Sequence, residues 1–155
     1  MADSGSNKLK GRRAFITGGS KGIGAAVVRQ MVAEGAEVVF AARPSDESTR
    51  VAEETGAVAL ALDITDLEAT MAAIESHGPF DILVNNAGVD QHAFFTNTTI
   101  EEWRALLMIN LEAVFATTHA ALPAMQEKRY GRIINISSVS GIMGNPGQAN
   151  YSASK

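Results

Sequence analysis

The chain has 155 residues, of which 46% are apolar, and a formal net charge of −4. That is enough for one domain with a real core, and the acidic balance without a Lys/Arg-rich run argues against a nucleic-acid partner. With no cysteine, disulfides and thiolate metal sites are excluded.

Residues 1–7 are small and polar, unlike a signal peptide, and read as a flexible leader before a single domain over 8–155. Arg13–Thr17 is a short apolar strand that runs into the glycine turn Gly18-Gly19-Ser20-Lys21-Gly22-Ile23-Gly24. A helix follows to about Glu34, with Ile23, Val27 and Met31 four residues apart, and Gly35 ends it. Glu37–Ala42 is a second, almost wholly apolar strand of the kind a parallel sheet buries on both faces. Ser45 is placed to cap a helix over Asp46–Thr55.

The third strand is read over Ala57–Asp63. Thr65–Glu68 has the Thr-x-x-Glu form of a capping box and opens a helix to about His77. Phe80–Asn85 is the fourth strand. A second such box, Thr98–Glu101, starts the longest helix, which runs towards Lys128 with a kink or break expected at Pro123. Arg132–Ser137 is the fifth strand, followed by a glycine-rich loop over Gly141–Gly147 and the start of a helix. Strand and helix alternate throughout, which predicts an α/β fold built on a doubly wound parallel sheet. No apolar run approaches the roughly 18 residues of a membrane span, so a cytoplasmic protein without a membrane partner is expected.

Several stretches have the means for chemistry. Glycines directly after a first strand let backbone N–H groups approach a pyrophosphate, and the helix N-terminus adds partial positive charge. The spacing here is Gly18-x-x-x-Gly22-x-Gly24. At the tip of the second strand, where an acid would select NAD, stands Arg43; with Lys21 it suits the 2′-phosphate of NADP(H) over NAD(H). Asp63 ends the third strand, where it either accepts from an adenine amino group or belongs to the capping region with Thr65. Asn110 falls in the middle of a face made by Trp103, Leu106, Leu107 and Val114. An amide there needs partners, whether backbone groups or a held water. Ser138, just after the fifth strand, either donates to a substrate oxygen or stabilises a turn. Tyr151 and Lys155, four apart, share one helix face, which sets an ammonium beside a phenol. His77, His92 and His119 have no ligand spacing, and no metal is expected.

Taken together, Thr17–Gly24, Asp63, Asn85-Asn86-Ala87-Gly88, Asn110, Ser138 and Tyr151-x-x-x-Lys155 resemble the short-chain dehydrogenase/reductase family, in order and along the whole chain. Gly131–Ser138 and Gly147–Tyr151 look like the 3-oxoacyl-carrier-protein reductase branch. The resemblance implies a Rossmann-like fold that binds NADP(H) through the residues from Gly18 to Gly24, Arg43, Asp63 and the Asn86-Ala87-Gly88 segment. It implies an oxidoreductase that interconverts a carbonyl and a secondary alcohol. Tyr151 would be its acid or base, Lys155 would lower the Tyr151 pKa and hold the nicotinamide ribose, Ser138 would bind the substrate oxygen and Asn110 would fix a water. The partners it implies are a small carbonyl or hydroxyl substrate, acyl-carrier-linked if the branch likeness holds, and further copies in a homodimer or homotetramer. Family members continue past the lysine through more sheet and a segment that closes over substrate. The expectation is therefore an N-terminal part with an open fifth strand and weak or no catalysis; the alternative is a nucleotide-binding module without chemistry.

Overall fold

Three runs, Arg13–Thr17 (β1), Glu37–Ala42 (β2) and Ile82–Asn85 (β4), are buried along nearly their whole length, as strands covered on both faces must be. They form the middle of a five-stranded sheet in a computed structural model that describes residues 7–155. Val58–Ala61 (β3) and Arg132–Asn135 (β5) flank them, in the order β3-β2-β1-β4-β5 with every pairing parallel. The predicted leader lies outside the described residues, apart from Asn7.

The helices are Gly22–Ala33 (α1), Asp46–Thr55 (α2), Leu67–His77 (α3), Ile100–Leu107 (α4), Ala113–Glu127 (α5), Ser140–Met143 (α6) and Ala149–Ser154 (α7). Side chains alternate across β1, and this divides the core in two. Ala14 and Ile16 pack with Val28 of α1, Val51 of α2 and Phe40. Phe15 faces the other way, among Ile74 of α3, Phe80, and Ala121 and Met125 of α5. Phe15 and Phe80 meet with ring centroids 5.2 Å apart. Full burial of such side chains stabilises the fold by about 1.5–3 kcal/mol each.

Three helix starts and breaks differ from the sequence reading. Ser45 does cap α2, accepting from the Ser48 N–H at 3.2 Å. For α3, however, the cap is Asp66, which accepts from the Ala69 N–H at 3.0 Å. Thr65 is unavailable because its N–H and hydroxyl both donate to Asp63 Oδ1, at 3.0 and 2.8 Å. The box on α4 is Thr99–Glu102, one residue later than predicted. Thr98 instead closes the 3-10 turn Phe95–Asn97, its hydroxyl donating to the Phe94 carbonyl at 3.3 Å. Pro123 does not end the long helix. The irregularity lies earlier, in a π turn over Met108–Glu112 whose following N–H, of Ala113, bonds back to Met108.

Strands β3, β4 and β5 are shorter than predicted, although single backbone bonds extend each of them: Leu62 N–H to Ala42, Asp81 N–H to Arg13 and Ile136 N–H to Asn85. The glycine-rich loop contains the one-turn helix α6. By length and composition the continuous helix Ile100–Glu127 is apolar enough to cross a membrane. Here its apolar face, with Leu106, Ala113, Ala116 and Met125, is buried in the domain. At the sheet edge Ile133 and Ile134 of β5 remain 36% and 42% exposed.

Candidate active site

The chain leaves β1 towards β2 on one side and pairs with β4 on the other, so a crevice opens beyond the carboxyl ends of β1 and β4, where α/β sheets bind ligands. Thr17, the last residue of β1, spans that crevice. Its hydroxyl accepts from the N–H groups of Asn86 and Ala87, both at 3.0 Å, while Asn86 Nδ2 donates to the carbonyls of Thr17 and Gly18 at 3.0 and 3.1 Å.

Above this brace the glycine turn reverses the chain. Gly18 has φ +70°, a left-handed conformation that disfavours side chains. A Cβ on Gly24 would overlap the Gly18 carbonyl oxygen, so only glycine lets α1 approach the strand this closely. Lys21 is the N-cap of α1 and makes no side-chain capping bond. The first N–H groups of α1 therefore face the crevice with the positive end of a 12-residue helix.

The cleft has a volume of about 700 Å³. Its floor includes Gly18, Ser20, Ile23 and Gly24, and its far wall Asn86, Ala87 and Gly88. Lys21, Arg43 and Asp63 line the end next to β2 and β3. Gly22, the first residue of α1, does not line it, and its φ of +54° marks it as part of the turn. The Thr65 N–H and hydroxyl hold the Asp63 carboxyl below its ordinary value, and the Arg43 charge adds to this; slight burial acts the other way. Of the two readings the sequence left open for Asp63, the bonds from Thr65 to Oδ1 bear out the turn, and the residue also lines the cleft. Glu47, not singled out from the sequence, also lines this end. Its carboxyl is lowered by its own backbone N–H and by Ser45, with Arg50 and Lys21 adding their charge.

The remaining residues gather beyond Gly88. A Cβ on Gly88 would stand 3.2 Å from both Asn110 Oδ1 and Lys155 Nζ, so these two polar groups border the end of the cleft. The Lys155 ammonium donates to the Ile136 carbonyl at 2.8 Å, and half-burial pushes its pKa below the ordinary lysine value. Asn110 sits in the π turn, 3% exposed. Its Oδ1 accepts from the Val89 N–H, and its Nδ2 donates to the Val89 carbonyl and to Ser154 Oγ, all at 2.9 Å. The Ser154 bond was not legible in the sequence, where only the need of a buried amide for partners pointed to it.

Ser138 Oγ accepts from the Ser140 N–H at 3.2 Å, a turn bond that leaves the hydroxyl proton free to donate elsewhere. Tyr151 is half-buried on α7, and among the described residues its phenol makes no hydrogen bond, to Ser138 or Lys155 included.

A parallel sheet with its crevice at the switch point, an uncapped helix start and a glycine turn define a Rossmann-like α/β fold. The family model described as short chain dehydrogenase matches residues 12–155, and the chain belongs to that family. It is 40% identical over 149 residues to an acetoacetyl-CoA reductase of Shinella zoogloeoides, covering 93% of this chain and 62% of that one. It is also 40% identical over 153 residues to the 3-oxoacyl-acyl-carrier-protein reductase FabG of Escherichia coli, covering 95% of this chain and 63% of the relative. Among solved structures, a proposed NAD(P)-dependent gluconate 5-dehydrogenase from Beutenbergia cavernae, with NADP bound at low occupancy, superposes with a TM-score of 0.91 at 32% identity. That match covers 96% of this chain and 63% of the other. The chain thus spans a little under two thirds of the length of these relatives.

Proposed function

We propose that this chain carries the cofactor cleft and the proton-transfer residues of an NADPH-dependent oxidoreductase that interconverts a carbonyl and a secondary alcohol. The observation that carries the reading is the junction at Gly88, where the cleft lined by Gly18, Lys21 and Arg43 meets Lys155 and Asn110. A nucleotide fits the residues present. The α1 N–H groups suit a pyrophosphate, and Lys21 and Arg43 suit a 2′-phosphate. The nicotinamide would supply the hydride to the carbonyl carbon.

This chain's side chains would handle the oxygen. Ser138 donates its free hydroxyl proton to the carbonyl oxygen and stabilises the charge that develops there, and Tyr151 delivers the proton that completes the alcohol. Lys155, with an ammonium anchored on the Ile136 carbonyl, supplies positive charge next to the tyrosine and a donor for the ribose. Because the Asn110 amide is committed to Val89 and Ser154, a water held there would sit on the second lone pair of Oδ1 or on a backbone carbonyl. The relatives named for acetoacetyl-CoA and for 3-oxoacyl groups on a carrier protein support a 3-oxoacyl thioester as substrate. The exposed Phe94, Val139 and Ile142 near the active-site end agree with an apolar chain.

The test is titration with NADPH and NADH, followed by NADPH oxidation against 3-oxoacyl thioesters and a wider carbonyl panel. NADPH binding with turnover that Tyr151→Phe abolishes is the expected result. Turnover retained by Tyr151→Phe would sink the proton role, and NADPH binding without turnover on any carbonyl would favour a nucleotide-binding module.

A further inference from the structure

The helix that carries Tyr151 is fastened to other elements through side-chain contacts near both of its described ends. At its C-terminal end the tie is Ser154 to Asn110. At its N-terminal end lies a different set of contacts, which none of the roles above uses. Gln148, the N-cap of α7, accepts from the Ser152 N–H through its backbone carbonyl at 2.8 Å and is 5% exposed. Its side-chain Nε2 donates to both carboxylate oxygens of Asp90, at 2.8 and 2.7 Å. Its Oε1 accepts from Asn145 Nδ2 and, at 3.4 Å, from the Ser140 hydroxyl. Two residues on, Asn150 Nδ2 donates to Gln91 Oε1 at 2.8 Å, and the Ala93 N–H bonds to the Gly147 carbonyl at 2.8 Å. The segment after β4 and the segment before α7, 58 residues apart at Asp90 and Gln148, are thus fastened across the substrate side of the site.

We infer that Asp90 and Gln148 form a clasp that positions Tyr151 for proton transfer. Both are positioning residues, and the role rests on the reading of Tyr151 as the proton donor. An amide N–H that donates to a carboxylate makes a charge-assisted bond stronger than a neutral one. Gln148 is buried, so loss of Asp90 leaves its donor without an acceptor and α7 without its N-terminal anchor. His92, whose Nε2 lies 3.0 Å from Asp90 Oδ2 and 3.3 Å from Gln148 Nε2, is 70% exposed in its side chain and flanks the clasp without closing it.

The geometry permits a polarity swap. Gln148→Glu keeps the acceptor used by Asn145 and Ser140 but sets a carboxylate against Asp90. Adding Asp90→Asn restores an amide–carboxylate pair with donor and acceptor exchanged. The experiment compares wild type, Gln148→Glu, Asp90→Asn/Gln148→Glu and, as a control, His92→Ala. It reads amide hydrogen exchange over 149–154 against that of β1, NADPH affinity, and carbonyl turnover. Gln148→Glu should speed exchange in α7 about tenfold and lower kcat by a similar factor, with β1 protection and NADPH affinity within about twofold of wild type. The double variant should recover most of both losses, and His92→Ala should change neither. A Gln148→Glu protein with unaltered α7 exchange and kcat would overturn the inference. So would a double variant no better than Gln148→Glu, or a wild type whose α7 amides exchange freely while β1 is protected. If wild type reduces no carbonyl, the proposed activity fails, while the exchange results still decide whether the clasp exists.

Discussion

Ser154 Oγ lies 2.9 Å from Asn110 Nδ2 and itself donates to the Tyr151 carbonyl at 2.8 Å. One hydroxyl therefore joins the π turn of the long helix to the helix that bears the tyrosine. Ser154 is 8% exposed and Asn110 3%, so neither group can turn to water instead.

Ser154→Ala should strand one amide hydrogen of Asn110 and cost about 1–2 kcal/mol, the range for a buried donor left unsatisfied. Chemical denaturation should show a lower midpoint with an unchanged slope. NADPH affinity should hold, because the cleft is built from other elements. A midpoint equal to wild type would mean that the Asn110 amide finds a replacement partner.

At the cleft floor, Gly24→Ala should be far worse than a helix propensity scale suggests, since alanine is the better helix former. The added methyl overlaps the Gly18 carbonyl and crowds Asn86 Nδ2. Forced movement of this kind costs about 1–3 kcal/mol and displaces the turn. Thermal melting and NADPH titration together check it: both should fall, and a variant that binds NADPH normally would refute the close-approach argument.

Cofactor choice should respond to the charges beside β2. Arg43→Ala is expected to weaken NADPH binding about tenfold, the scale of one lost charge-assisted contact, and to leave NADH within about twofold. Salt should weaken NADPH binding less in the variant than in wild type. Glu47→Gln should shift preference towards NADPH, because it removes a carboxylate whose charge acts against that of Lys21. Equal losses for the two cofactors in Arg43→Ala would assign the arginine to general binding.

Asp81 gives the clearest pH signature. Burial, the largest influence, raises its carboxyl pKa. The Arg13 N–H at 3.0 Å, the Lys128 hydrogen bond at 3.1 Å and charge, and the Arg12 charge together outweigh that and hold it below 3.8. With the folded value depressed, the unfolded chain binds more protons in this range. The stabilisation is therefore complete above the ordinary carboxylate pKa and disappears as pH falls through the folded value. Asp81→Asn should cost about 1–3 kcal/mol at neutral pH, and its gap to wild type should begin to narrow at about pH 4 and close as pH falls through the lower folded value. A gap independent of pH would mean that packing, and not charge, explains the loss.

The parallel core was readable because a strand buried on both faces has few polar residues to spare, and β1, β2 and β4 carry theirs only at the strand ends. Cap positions were readable only to within a residue. Thr98 and Thr99 each stand three before a glutamate, and what separates them is the 3-10 turn that occupies Thr98. The π turn left no trace, since inserting one residue into a helical ladder changes hydrogen bonds and not composition. No local pattern marks Asp81, because its partners come from far along the chain, 68 residues away at Arg13 and 47 at Lys128. The residues gathered around Gly88 were singled out from the sequence, but the Ser154 and Gln148 contacts that hold them depend on the packing of α7, which no local pattern records.

The edge at β5 has a consequence for handling the 155-residue polypeptide. Consecutive strand residues point to opposite faces, so Ile133 and Ile134, both solvent-accessible, bare the sheet above and below at once. Among the described residues, the outer backbone row of β5 has no neighbouring strand in the sheet. A strand wet on both sides and unpaired along one is a template for addition. At high concentration, sheets of neighbouring molecules would then join edge to edge, and sedimentation should show growth in mass that a charged residue at Ile133 or Ile134 suppresses.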